Sequence, residues 1–120
     1  MAKKRFIVEI GTGVDLHGED VTEAACRAVK DAISRSCLCG LSEIVGLEKP
    51  GELEVDVVIA SPKPEEVDLE RVKEALPAGR KTASSVAGGM RVRGLMVPKY
   101  GPGRDHIVVA NAGITVSIDR

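Results

Sequence analysis

Gly11-Thr12-Gly13-Val14-Asp15-Leu16-His17-Gly18-Glu19-Asp20 joins the first apolar run of the chain to its first helical pattern. These ten residues hold three glycines, three acids and one of the two histidines. A segment that only turns the chain does not need this chemistry, so the sequence marks it as a site. Before it, Phe6-Ile7-Val8-Glu9-Ile10 is short and β-branched and stops at Gly11, which reads as a strand. Its near-continuous apolar character suggests a central place in a sheet. After it, Asp20 reads as a helix N-cap with Glu23 three residues on, an Asp form of the capping box. Val21, Ala25, Ala28, Val29, Ala32 and Ile33 then fall on one helical face, predicting a helix over about Val21–Arg35. Its alanines let it lie close to a sheet.

Outward from there, Gly40 closes a turn and Leu41 to Leu47 allows one more short turn of helix. Leu53 to Ala60 is a second strand, after the break at Pro50-Gly51. Asp68 caps a second helix carrying Leu69, Val72 and Leu76, and Pro77 ends it. Lys81 to Ala87 and Met90 to Val97, joined by Gly88-Gly89, read as a hairpin. Pro98 to Asp105 is a glycine- and proline-rich loop. Ile107 to Ile118 is a last strand region, with a bulge or turn expected at Asn111-Ala112-Gly113. The order β-α-β-α-β-β-β predicts a single α+β domain over residues 1–120: two layers, one mixed sheet, both helices on one face.

The other sheet face then needs a cover. Of 120 residues 43% are apolar but only 2% aromatic, Phe6 and Tyr100. A core of Val, Ile, Leu and Ala buries little area per residue, at about 25 cal/mol per Å². Burial against further copies of the chain makes up the difference, so a homo-oligomer is expected, with a trimer favoured. Seventeen bases against 18 acids, interspersed, oppose nucleic-acid binding, which needs a basic face. Lys3-Lys4-Arg5 reads as a solvated tail. No apolar run approaches the roughly 18 residues of a membrane span, and no signal-peptide stretch opens the chain. A cytoplasmic protein is expected. Cys26, Cys37 and Cys39 are an odd count, which suits free thiols.

The glycine spacing Gly-x-Gly-x-x-x-x-Gly is neither the dinucleotide fingerprint nor a P-loop. With Asp15, Glu19 and Asp20 present and no Lys or Arg between Phe6 and Cys26, the local field favours a cation or an NH-rich ligand. A basic residue such as Arg80, Lys81, Arg91, Arg93 or Arg104 folding over the segment would reverse that. Asp15 and His17, two apart, point the same way in an extended segment. They are the candidate catalytic pair; Gly11, Thr12, Gly13, Gly18 and Glu19 are the candidate ligand-binding groups. Three readings stand. The segment binds a small polar molecule, with a neighbouring subunit completing the site. Or Asp15 and His17 hold a metal for hydrolysis, with Glu19, Asp20 or His106 completing the ligands. Or the loop is a structural or regulatory assembly element. On the first two readings Asp15 and His17 serve the ligand rather than the fold.

Gly11-x-Gly13-x-Asp15-x-His17-Gly18 resembles the GxGxDxHG signature of a conserved-hypothetical bacterial family labelled Lin, over nearly the whole chain. The resemblance supports Gly11, Gly13, Asp15, His17 and Gly18 as the site and brings no reaction with it. At the level of fold the chain is also similar to one repeat of the ring-opening amidohydrolases, cyanuric acid hydrolase and barbiturase. That likeness puts Ser61 at the matching strand end, but Thr12 or Gly13 stands where those enzymes carry a lysine. It implies a chorismate-mutase-like, threefold assembly.

Overall fold

The computed structural model describes residues 2–120, with Tyr100 by its backbone alone. The chain forms β1 (Lys3–Asp15), α1 (Val21–Ile33), a short α2 (Cys39–Glu43), β2 (Leu53–Ser61), α3 (Leu69–Glu74), β3 (Arg80–Ala87), β4 (Met90–Arg93) and β5 (His106–Asp119). The sheet runs β1-β5-β2-β3, and β4 also pairs with β5. β2 and β3 are parallel and every other pair is antiparallel. α1 packs on β1 and β5, α3 packs on β3, and the two helices touch. The expected two-layer α+β fold with one mixed sheet is therefore the observed one. Among the described residues no helix is long and apolar enough to cross a membrane.

Alternation decides which side of each strand is buried. Val55, Val57 and Ile59 of β2 and Val108, Ala110, Ala112, Ile114 and Val116 of β5 face the helices and are buried. They meet Val29 of α1 and Val72 of α3, both fully buried. The N-cap residues are those the sequence announces, but the expected capping box does not close, because the Asp20 amide donates to Asp15 Oδ2 and not to Glu23. Asp20 accepts hydrogen bonds from the Thr22 and Glu23 amides, and Asp68 from those of Glu70 and Arg71. Glu23 pairs with Arg27 and Arg71.

The first glycines have a different role from the one expected. β1 does not stop at Ile10; it runs through Gly11-Thr12-Gly13 to Asp15, and the loop starts only at Leu16. A Cβ on Gly11 would lie 2.2 Å from the Ala28 carbonyl oxygen and 2.5 Å from the Ala32 amide nitrogen. On Gly13 it would lie 2.0 Å from the Ala24 carbonyl oxygen and 2.3 Å from the Ala28 amide nitrogen. The need is for space, since neither glycine has positive φ. Strand glycines and helix alanines together let two backbones touch.

Four further expectations are corrected. β1 lies at the sheet edge, and β5 takes the centre. Charged side chains of α1 and of the residue past its C-cap reach the backbone of β1: Arg35 donates to the Ile10 carbonyl, Asp31 accepts from the Thr12 amide at 2.8 Å, and Arg27 donates to the Val14 carbonyl at 2.7 Å. Lys3-Lys4-Arg5 is paired strand, opposite Asp119, Ile118 and Ser117, with an irregularity at Phe6. β3 and β4 form no hairpin. Gly88-Gly89 instead carries the chain across the end of β2, where the Gly88 amide donates to the Ser61 carbonyl at 3.0 Å and β4 goes on to pair with β5. Gly89 has φ +65° and passes so near the Val109 carbonyl oxygen that a Cβ would stand 2.1 Å from it. Asn111-Ala112-Gly113 is neither bulge nor turn: it pairs in unbroken register with Ile10-Gly11-Thr12.

The face away from the helices is uncovered. Val8, Ile10, Val14, Val58, Val86, Met90 and Val92 are all exposed, Ile10 to 60%.

Gly13→Ala is expected to lose stability at or beyond the roughly 3 kcal/mol upper end usual for overpacked cores. Gly51→Ala, where a Cβ meets nothing within 4 Å, should stay within about 0.5 kcal/mol of the parent. Urea denaturation measures both. The three cysteines are free, Cys26 buried and Cys37 and Cys39 exposed. Burial also pushes the Cys26 thiol up. A thiol reagent should therefore modify two cysteines quickly in the native protein and the third only on unfolding.

Candidate functional site

The segment after β1 bends back to start α1. Asp15, the last residue of the strand, sets its shape. Its Oδ2 accepts the Asp20 amide at 2.9 Å and its Oδ1 accepts Arg27 Nη1 at 3.1 Å. A Cβ at Gly18 would lie 2.9 Å from the same Oδ2, so the glycine leaves room for the carboxylate. From the far end of the chain Arg104 Nη1 donates to the Gly18 carbonyl at 3.0 Å.

Together these groups wall a cleft of about 430 Å³ lined by Asp15, Leu16, His17, Gly18, Asp20, Glu23, Arg27 and Arg104. Asp15, His17 and Gly18 of the expected site are thus in one place. Gly11 and Gly13 lie under α1, and Thr12 sits on the open sheet face, accepting from Asn111 Nδ2 at 3.1 Å. None of these three lines the cleft. Glu19, whose φ is +50°, reaches Arg91 Nη2 at 3.1 Å and His106 Nδ1 at 3.3 Å instead.

The acidic field expected from the sequence is offset. Arg27 and Arg104 line the cleft against Asp15, Asp20 and Glu23, and Arg91 covers Glu19. Arg104 and Arg91 come from 86 and 72 residues away along the chain. Their basic character was readable; their arrival was not, because it depends on the pairing of β1 and β4 with β5. Arg27 needed less. It stands two turns into α1, on the face that looks back at the end of β1.

Two further expectations meet geometry here. Ser61 does end β2, but it is fully buried, and its hydroxyl accepts the Lys63 amide at 3.2 Å. It shapes the Pro62-Lys63 turn and is not offered to a substrate. Metal-ligating atoms gather, among the described residues, at Glu19, Asp105 and His106 rather than at Asp15 and His17. His106 Nδ1 lies 2.8 Å from Asp105 Oδ1, and this hydrogen bond holds the Asp105 carboxyl below the usual carboxylate range.

Residues 5–116 match the family of conserved hypothetical proteins described as Lin0512_fam. No curated protein matches the chain. Among solved structures, the crystal structure of an FtsZ-like protein of unknown function from Nostoc punctiforme PCC 73102 is similar, with a TM-score of 0.88 and 43% identity. The match covers 100% of this chain and 99% of that one.

The Asp15 carboxylate is only 14% exposed and both its oxygens are engaged. Asp15→Asn removes the charge that Arg27 pairs with and leaves an NH₂ group facing a donor. It is expected to cost roughly 1–2 kcal/mol, Arg27 being half exposed. Thermal and urea denaturation check this, with Asp56→Asn on the open face as a control for the charge change.

Proposed function

The chain belongs to the conserved hypothetical Lin0512_fam family, whose description names no reaction, and we propose from the chain's own geometry that it is a small-molecule binding protein. The ligand is small and polar and sits in the cleft between the end of β1, the start of α1 and Arg104. The observation that carries this is Arg104, an exposed guanidinium brought from the other end of the chain to line that cleft and hold the Gly18 carbonyl. The cleft volume lies within the roughly 300–1,000 Å³ common to small-molecule sites. Guanidinium on one wall and the Asp20 carboxylate on another suit a molecule with both an acceptor and a donor end, such as a small zwitterion or amide. His17 lines the same cleft and brings an imidazole, a hydrogen-bonding group, to its wall. Asp15, engaged on both oxygens, positions the loop.

We further infer a cytoplasmic homo-oligomer, a trimer by preference, built on the open sheet face. Val8, Ile10, Val58, Val86, Met90 and Val92 put exposed apolar groups together there, as interaction surfaces do.

Calorimetry or thermal shift against small zwitterions, carboxylates, amines and amides tests the ligand. Arg104→Ala, which removes one exposed hydrogen bond, should melt within a few degrees of the parent and lose binding. A ligand that binds Arg104→Ala and His17→Ala as well as the parent overturns the site. Solution mass should be a multiple of 12.7 kDa, and Ile10→Lys combined with Met90→Lys should reduce it to the monomer. A parent protein that is monomeric at micromolar concentration overturns the assembly.

A further inference from the structure

We propose that Glu19, Asp105 and His106 form a binding site for one divalent transition-metal ion of the zinc, manganese or iron class. The proposal is separate from the ligand reading of the cleft. One carboxylate oxygen of Glu19, one of Asp105 and a ring nitrogen of His106 lie within 4.8 Å of one another. The imidazole Nδ1 stands 2.8 Å from the Asp105 carboxylate and 3.3 Å from Glu19; to ligate an ion it gives up the hydrogen it donates to Asp105, the neutral ring then carrying its proton on Nε2. Around an ion with bonds of about 2.0–2.2 Å, neighbouring ligand atoms of a tetrahedron or octahedron stand about 2.8–3.6 Å apart. Both distances are already edges of such a shell.

The donor set points to the metal class. Two carboxylates with one imidazole suit zinc, manganese or iron, whereas calcium and magnesium prefer oxygen alone. Three protein ligands leave the remaining positions to water or another molecule. The ligands come from two segments that the fold holds. His106 opens β5 and Asp105 immediately precedes it, with the Asp105 carbonyl accepting the Gly94 amide at 2.6 Å and His106 opposite Arg93. Glu19 sits between Gly18 and Asp20 of the cleft wall. Among the described residues the charge nearest Glu19 Oε1 is Arg91, at 3.1 Å. The two carboxylates face two guanidiniums, Arg91 at Glu19 and Arg93 beside Asp105, so the case for an ion rests on the donor atoms and their spacing and not on net charge. The ion takes the oxygen that Arg91 holds, so Arg91 is its competitor. Once bound, the ion ties the loop after β1 to the segment that carries Arg104.

The test uses the full chain, stripped with a chelator, in calorimetry with Mn²⁺ and with Zn²⁺. Mn²⁺ discriminates against the exposed thiols of Cys37 and Cys39. One ion per chain is expected, with a rise in melting temperature. His106→Ala and Glu19→Gln should each weaken Mn²⁺ binding at least about tenfold, as even outer partners of metal ligands do. Two variants are used so that a folding failure in one, seen by circular dichroism, leaves the other decisive. Arg91→Ala should tighten binding, the reverse of what a purely structural ion-pair network gives. Arg104→Ala should leave the ion bound while losing the cleft ligand, which keeps the two proposals apart. No Mn²⁺ or Zn²⁺ binding at millimolar metal overturns the site. So does binding that survives both ligand substitutions, or that weakens in Arg91→Ala.

Discussion

The backbone contact between α1 and β1 is the constraint on which the rest depends. Gly11 and Gly13 offer no side chain to the helix, and Ala24, Ala28 and Ala32 offer almost none to the strand. The helix therefore lies on the strand at a separation that other residues would forbid. That closeness brings Arg27, Asp31 and Arg35 within reach of the strand's backbone. It also fixes where the helix begins. Asp20 caps α1 just where Asp15 turns the chain, and the cleft is the space left between them.

Antiparallel pairing supplies the other half of the site. Asp15 is opposite Val108 and Arg91 of β4 is opposite the same residue, on the two sides of β5. The loop that leaves β1 and the loop that enters β5 must then meet at one end of the sheet. Gly18 meets Arg104 and Glu19 meets His106 and Arg91 for that reason. Residues far apart in sequence become neighbours through the register of a strand placed at the centre.

What the sequence showed, it showed through local chemistry. Asp20 and Asp68 read as caps and are caps, because capping needs only the next three residues. The helical face of α1 and the alternation in β2 were legible for the same reason. Misreadings came where one residue type serves two purposes. Gly11 and Gly13 looked like the glycines of a ligand loop, yet they answer to a helix about 15 residues further along the chain. Gly88-Gly89 looked like a hairpin turn, yet it carries the chain over the end of β2, a path set by a partner strand not yet reached in the sequence. The apolar run in β1 looked central because both its faces are apolar, one under α1 and one open. Of the candidate site, Asp15, His17 and Gly18 were readable, while Arg104, Arg91 and the Asp105–His106 pair needed the topology to join them.

The three bonds that Arg35, Asp31 and Arg27 make to Ile10, Thr12 and Val14 bear on how copies of this chain can meet. An unpaired strand edge is a template: a second sheet can add to it, and a third to that, without a natural stop, which is how fibres grow. Along the middle of β1 those positions are already taken by side chains of the same molecule. Another copy must displace Arg35, Asp31 and Arg27 before it finds a free carbonyl or amide. What β1 still offers to a neighbour is its broad side, carrying Val8, Ile10 and Val14. A two-fold contact through that side would use up the same patch on both copies and leave nothing there for a third to extend.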